Sequence, residues 1–139
     1  MSNELFQLPV PSTSILRGGA SFKELLGRKC RLTYEYESEK PNFMISEQLV
    51  FGGVESYRCT YYVACNLDMI DAYDRVLDLG KSHWLDEMRG NLKRAKWNSE
   101  GLKHLRIFFD DGPCYEFICR SFDVYREERP IPANYYSTD

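Results

Sequence analysis

The sequence predicts an α+β fold: a strongly twisted or barrel-like antiparallel sheet of five to seven strands, with two consecutive helices inserted between its N-terminal and C-terminal strands. Three observations carry that expectation. Lys29–Glu37 alternates cleanly, with Cys30, Leu32, Tyr34 and Tyr36 on one face and charged or hydroxyl side chains on the other. The apolar period then lengthens from two to about 3.6 after Asn66. Finally, ten Tyr, eight Phe and two Trp fall mostly in the segments that alternate, as a sheet-rich core requires.

The elements follow in order. Residues 1–20 hold Pro9, Pro11, Gly18 and Gly19 and read as an irregular arm with one short strand near Ser14–Arg17. Ser21 is placed to cap a short helix over Phe22–Leu26, ended by Gly27. After the 29–37 strand, Met44–Phe51 turns Ile45, Leu49 and Phe51 to one face with Glu47 among them, and Gly52-Gly53 marks a hairpin. Glu55–Cys65 then points Tyr57, Cys59, Tyr61, Val63 and Cys65 inward. Asn66 caps a helix with Met69, Ile70, Tyr73, Val76 and Leu77 on one stripe, and Gly80 stops it. Ser82 caps a second helix from His83 to about Lys96, whose stripe is Trp84, Leu85, Met88 and Leu92. In the last hairpin Leu105, Ile107 and Phe109 match Tyr115, Phe117 and Cys119, which demands a loop of odd length with Gly112 left-handed; three residues would satisfy it. The alternation slips near Ser121, where a bulge or bend is expected. Pro130, Pro132 and Ser137-Thr138-Asp139 make 129–139 a loose tail, so the whole of 1–139 reads as one domain.

Bulk properties exclude several classes. At 139 residues the chain closes one core, and a net charge of −3 draws it to neither nucleic acid nor an anionic membrane. Apolar runs fall far short of the roughly 20 residues that span a bilayer, and Met1-Ser2-Asn3-Glu4 lacks a secretory start. Five cysteines (Cys30, Cys59, Cys65, Cys114, Cys119) without C-x-x-C spacing favour free thiols and a cytoplasmic location, with no metal site and no cofactor.

The motifs that invite chemistry have simpler explanations. Gly80-Lys81-Ser82 imitates the end of a phosphate-cradling loop, but Arg75 occupies the position of the required first glycine. Asp68, Asp71, Asp74 and Asp78 lack the alternate spacing and turn glycine of a calcium loop. His83 opens a helix at the surface, and His104 falls on the outward face of its strand with Arg106 and Phe108. Apolar strand faces leave the thiols inert. No catalytic constellation is legible, although such groups assemble in space rather than in sequence.

Two surfaces remain. Tyr34, Tyr36, Tyr57, Tyr61 and Tyr115 point inward together with Glu47, which would line a pocket for a small, partly apolar ligand; non-catalytic binding there is the leading expectation. Outward Tyr62, Phe108 and Ile118 would form a patch for a protein partner, either a second copy in a homodimer or a protein that this chain neutralises. A small enzyme, with an acid–base pair not visible in the sequence, ranks third.

Overall fold

The computed structural model describes residues 2–110 and 112–135. Antiparallel pairing dominates, and the α+β class stands, but the strands form two separate sheets rather than one closed or barrel-like sheet. The elements are β1 (Asn3–Gln7), β2 (Ser21–Leu25), β3 (Lys29–Glu37), β4 (Phe43–Gly52), β5 (Ser56–Thr60), α1 (Leu67–Ile70), β6 (Arg75–Asp78), α2 (His83–Arg94), β7 (Lys103–Phe108), β8 (Cys114–Cys119) and β9 (Ser121–Pro130). One sheet runs β1-β6-β7-β8-β5 and the other β2-β3-β4-β9.

The inner faces of the two sheets make the main core. Leu32, Tyr34, Leu49 and Phe51 from one meet Val76, Leu105, Ile107 and Phe117 from the other. Phe51 and Phe117 stack at 3.9 Å between centroids, both fully buried. The outer face of the five-stranded sheet is covered too. Met69 and Ala72 lie over Leu77, Phe108 and Cys114, while Leu85 of α2 packs on Leu102 and Ile118. Strand β8 is consequently buried at every position. This second covering is why His104, read as outward and wet, is buried instead.

The chain changes sheets at two adjacent corners. Gly52 and Gly53 carry it from β4 to β5, so they form a crossing and not the expected hairpin. Gly53 sits at φ +59°, where a Cβ would meet the Arg120 side chain at 3.0 Å. Arg120 turns β8 into β9 and ties the corners, with its amide donating to Gly52 O at 2.9 Å and its guanidinium to Glu55 at 2.8 Å. The bend expected near Ser121 is this crossing.

Other local expectations fail for identifiable reasons. Residues 3–7 form β1 rather than irregular arm, because they complete the edge beside β6. Ser12–Ser14 is a 3-10 turn, and no strand occupies Ser14–Arg17. Residues 21–25 pair with β3 as a strand instead of coiling; the adjacent long strand overrides a weak local helical preference. The first helix is one turn, since Asp74 at φ +56° breaks it and Val76 and Leu77 enter β6. A strand buried on both faces shows no alternation, and its paired apolar residues imitate a helical stripe. Consequently the two helices are not consecutive. In contrast, Ser82 caps α2 as expected, accepting from the Leu85 amide at 3.1 Å. The β7–β8 pairing also joins odd to odd, Ile107 with Tyr115 and Leu105 with Phe117. Its loop spans residues 109–113, five rather than three, and Asp111 lies outside the described residues. In the tail, β9 persists to Pro130, and Tyr135 is buried with its phenol donating to Glu35 at 2.7 Å. The expected loose ending at Ser137-Thr138-Asp139 falls outside the described residues. No helix among the described residues is long and apolar enough to cross a membrane.

Candidate functional site

The sequence from Cys59 to Asp74 carries no lysine or arginine, three aspartates and a high share of large apolar side chains. Its fold leaves most of those side chains outside. Strand β5 is an edge strand, paired only with β8. Beyond it a 3-10 turn at Tyr62–Ala64 and the single turn of α1 run over the surface. Six of the eleven large hydrophobic side chains exposed among the described residues belong to this stretch: Tyr61, Tyr62, Val63, Leu67, Ile70 and Tyr73. Val63 is 95% exposed and Leu67 83%. That concentration exceeds the scattered exposure ordinary surfaces carry.

The surface has a firm base. Met69 plugs into the cluster of Ala72, Leu77, Phe108 and Cys114, which turns Leu67 and Ile70, three residues apart, outward from α1. Asn66 caps that turn by accepting from the Met69 amide at 3.1 Å. The rings of Tyr62 and Tyr73 both lie against Phe108, at 6.5 and 6.2 Å. Gly112 runs close beneath Tyr62, where a Cβ would come within 2.9 Å of the Tyr62 amide nitrogen. Asp68 and Asp71 are exposed along the rim, and Asp110 accepts from the Tyr73 phenol at 2.9 Å.

Of the patch expected from sequence, only Tyr62 is exposed; Phe108 and Ile118 are buried, the first under Tyr62 and Tyr73 and the second under α2. Outward pointing on a strand means exposure only where nothing covers that face. The inward tyrosines divide as well. Tyr34, Tyr36 and Glu47 are buried, and Glu47 accepts from the Tyr34 phenol, from Tyr36 at 3.2 Å and from Arg126 Nε at 2.5 Å. Burial and then the neighbouring carboxylate push the Tyr36 phenol up to about 12, and the Tyr34 phenol rises by the same causes. Tyr57 and Tyr61 are exposed, contrary to the inward reading, because β5 is short and lies at the open edge of the sheet pair. Tyr57 packs on Phe22 at 5.0 Å and donates to Glu24 at 2.9 Å, while buried Tyr115 stacks on Phe22 at 5.8 Å. Three separate depressions therefore receive these groups: about 460 Å³ beside Tyr36 and Arg126, about 230 Å³ beside Tyr57, and about 90 Å³ beside Tyr115.

No protein-family model matches this chain, and neither do the curated proteins or the solved structures.

A second buried carboxylate went unread in the sequence. Glu116, fully buried on the outer face of β8, accepts from Arg58 Nε at 2.6 Å, Arg106 Nε at 2.8 Å and His104 Nε2 at 2.8 Å. Burial pushes its pKa up, but the three donors outweigh that and hold it at about 2. Trp84 of α2 seals the group, with its edge to His104 at 5.1 Å and Arg58 over its face at 4.4 Å. The even-numbered positions of β7 and β8 were the available signal: His104, Arg106 and Glu116 align across a ladder whose register the odd positions already specify.

Proposed function

We propose that this protein is a protein-interaction module, and that the Tyr61–Tyr73 surface is where its partner binds. The observation carrying this reading is the concentration of exposed apolar side chains in one stretch that has no cation of its own. Tyrosines on such a surface supply large contact area at low entropic cost, and edge strand β5 offers unpaired backbone groups beside them. Asp68, Asp71 and Asp110 fringe the apolar centre, so the complementary partner is a protein with an apolar patch bordered by lysine and arginine. A neutralising partner of a basic protein fits that description; a small-ligand pocket draws less support, because Glu47 is fully engaged by Tyr34, Tyr36 and Arg126.

The test places a photo-crosslinking phenylalanine analogue at Val63, at Leu67 and, as control, at Leu26, which is 97% exposed but lies in the β2–β3 turn. In the native cell, Val63 and Leu67 should capture one protein through a peptide rich in Lys or Arg, and Leu26 should not. The same adducts from all three positions would sink the proposal, as would capture of a second copy of the chain alone.

A further inference from the structure

Beside that surface, one cluster combines a hydroxyl, an imidazole and a carboxylate in a continuous chain. Ser82 Oγ lies 2.8 Å from His104 Nδ1, and His104 Nε2 lies 2.8 Å from Glu116 Oε1. Because the Glu116 carboxylate only accepts, the imidazole gives its Nε2–H to it, and the tautomer with that single ring proton turns the Nδ1 lone pair to Ser82. Arg58 and Arg106 keep the carboxylate charged and fixed, and Trp84 closes the side towards α2. Ser82 is only partly buried, and it opens on a depression of about 300 Å³ whose lining includes Asp68 and Asp71 from the rim of that surface, with Leu77, Leu79, Lys81 and Arg106.

We propose that Ser82 is a nucleophile for small carboxylic esters, with His104 as its general base and Glu116 as the positioning residue that sets the imidazole. Three features of the geometry support the chemistry. Ser82 Oγ accepts from Leu85 N at 3.1 Å, and the 2.8 Å distance to Nδ1 lets it donate its own proton along the path of transfer. Leu85 N and Asp86 N are satisfied by Ser82 Oγ and Ser82 O, which leaves the His83 and Trp84 amides at the start of α2 for a developing oxyanion. The depression combines Leu79 with the charged groups of Lys81, Arg106, Asp68 and Asp71, and its size suits a short acyl group.

In the reaction, Oγ bonds to the carbonyl carbon as its proton passes to Nδ1. The tetrahedral adduct collapses by breaking the bond to the leaving oxygen, which takes the proton from Nδ1. Water then attacks the acyl-serine and gives a proton to Nδ1; the acid departs, and Oγ recovers that proton.

The experiment exposes the intact folded protein to a fluorophosphonate probe, which forms an Oγ–P bond, expels fluoride and leaves its proton on His104; mass spectrometry then locates the adduct. Ser82 should be labelled in the native protein and not in the urea-unfolded one. His104→Gln should slow labelling roughly 100-fold or more. Ser82→Asp keeps a helix cap, removes the nucleophile and should abolish both labelling and hydrolysis of p-nitrophenyl acetate above the buffer rate. Glu116→Gln should move the pH profile of the labelling rate to lower pH, a change that a purely structural group would not cause. Native protein left unlabelled at Ser82, label at another residue only, or unaltered rates in folded His104→Gln would overturn the proposal. An unshifted profile in Glu116→Gln would remove Glu116 from it. Labelling of the native chain decides the matter even where a variant fails to fold.

Discussion

Tyr34 and Glu47 face each other across β3 and β4, and the phenol donates to the carboxylate where neither side chain reaches water. Tyr36 and Arg126 occupy the second oxygen of Glu47, so both oxygens of the buried carboxyl group are hydrogen-bonded. Tyr34→Phe removes one donor and leaves the carboxylate undersupplied, so it should cost about 1–3 kcal/mol in urea unfolding. Arg126→Ala takes away the compensating cation and should cost more, on the order of 3 kcal/mol. Equal and negligible losses in both would mean that water replaces the missing partners.

Glu116 makes acid stability testable. Its carboxyl sits at about 2 in the fold against an ordinary 4.5, so folding favours the ionised form. Its contribution is therefore complete above about pH 4.5 and disappears as pH falls through about 2. Glu116→Gln should cost roughly 3 kcal/mol at pH 7 and flatten the decline of the urea midpoint between pH 5 and pH 2. A midpoint falling as steeply in the variant as in the parent would contradict the assignment.

The five cysteines should separate by reaction rate. Cys59 is exposed, Cys65 is half-buried, and Cys30, Cys114 and Cys119 are buried. Burial pushes Cys30 up to about 11 and Cys114 and Cys119 up to about 12, so these three should resist iodoacetamide until the protein unfolds. Cys59 should react first, faster at higher pH because burial and nearby Cys65 raise its thiol too. Peptide mapping after timed quenching reads the order.

Gly112→Ala tests the base of the apolar surface. The residue sits at φ +71°, and its new Cβ would press on the Tyr62 backbone. A loss of at least about 1–2 kcal/mol in thermal or urea unfolding is expected from the backbone conformation alone. Unchanged stability would show that the Tyr62 turn gives way freely.

Val63→Lys and Leu67→Lys separate fold from interaction. Both side chains are exposed, so unfolding free energy should stay within about 0.5 kcal/mol of the parent. Partner capture should nevertheless be lost, since each places a desolvated cation against a basic-rimmed surface. Retained capture with unchanged stability would move the interface elsewhere.

Sequence alone determined what local chemistry can determine. The period of two in residues 29–37 settled the inward set from Cys30 to Tyr36, Ser82 announced the start of α2, and Leu105–Phe109 against Tyr115–Cys119 specified the last hairpin register. Each is a short-range signal, carried by side chains a few residues apart. What lay beyond its reach depended on which element covers which face. Alternation distinguishes two sides of a strand but not whether a helix will roof the outer one, so His104 reads as wet and is buried, together with Glu116 beside it. It cannot show that β5 ends a sheet, so Tyr57 and Tyr61 read as core and are exposed. Burial is a property of layers assembled from distant segments, and only the packed chain decides it.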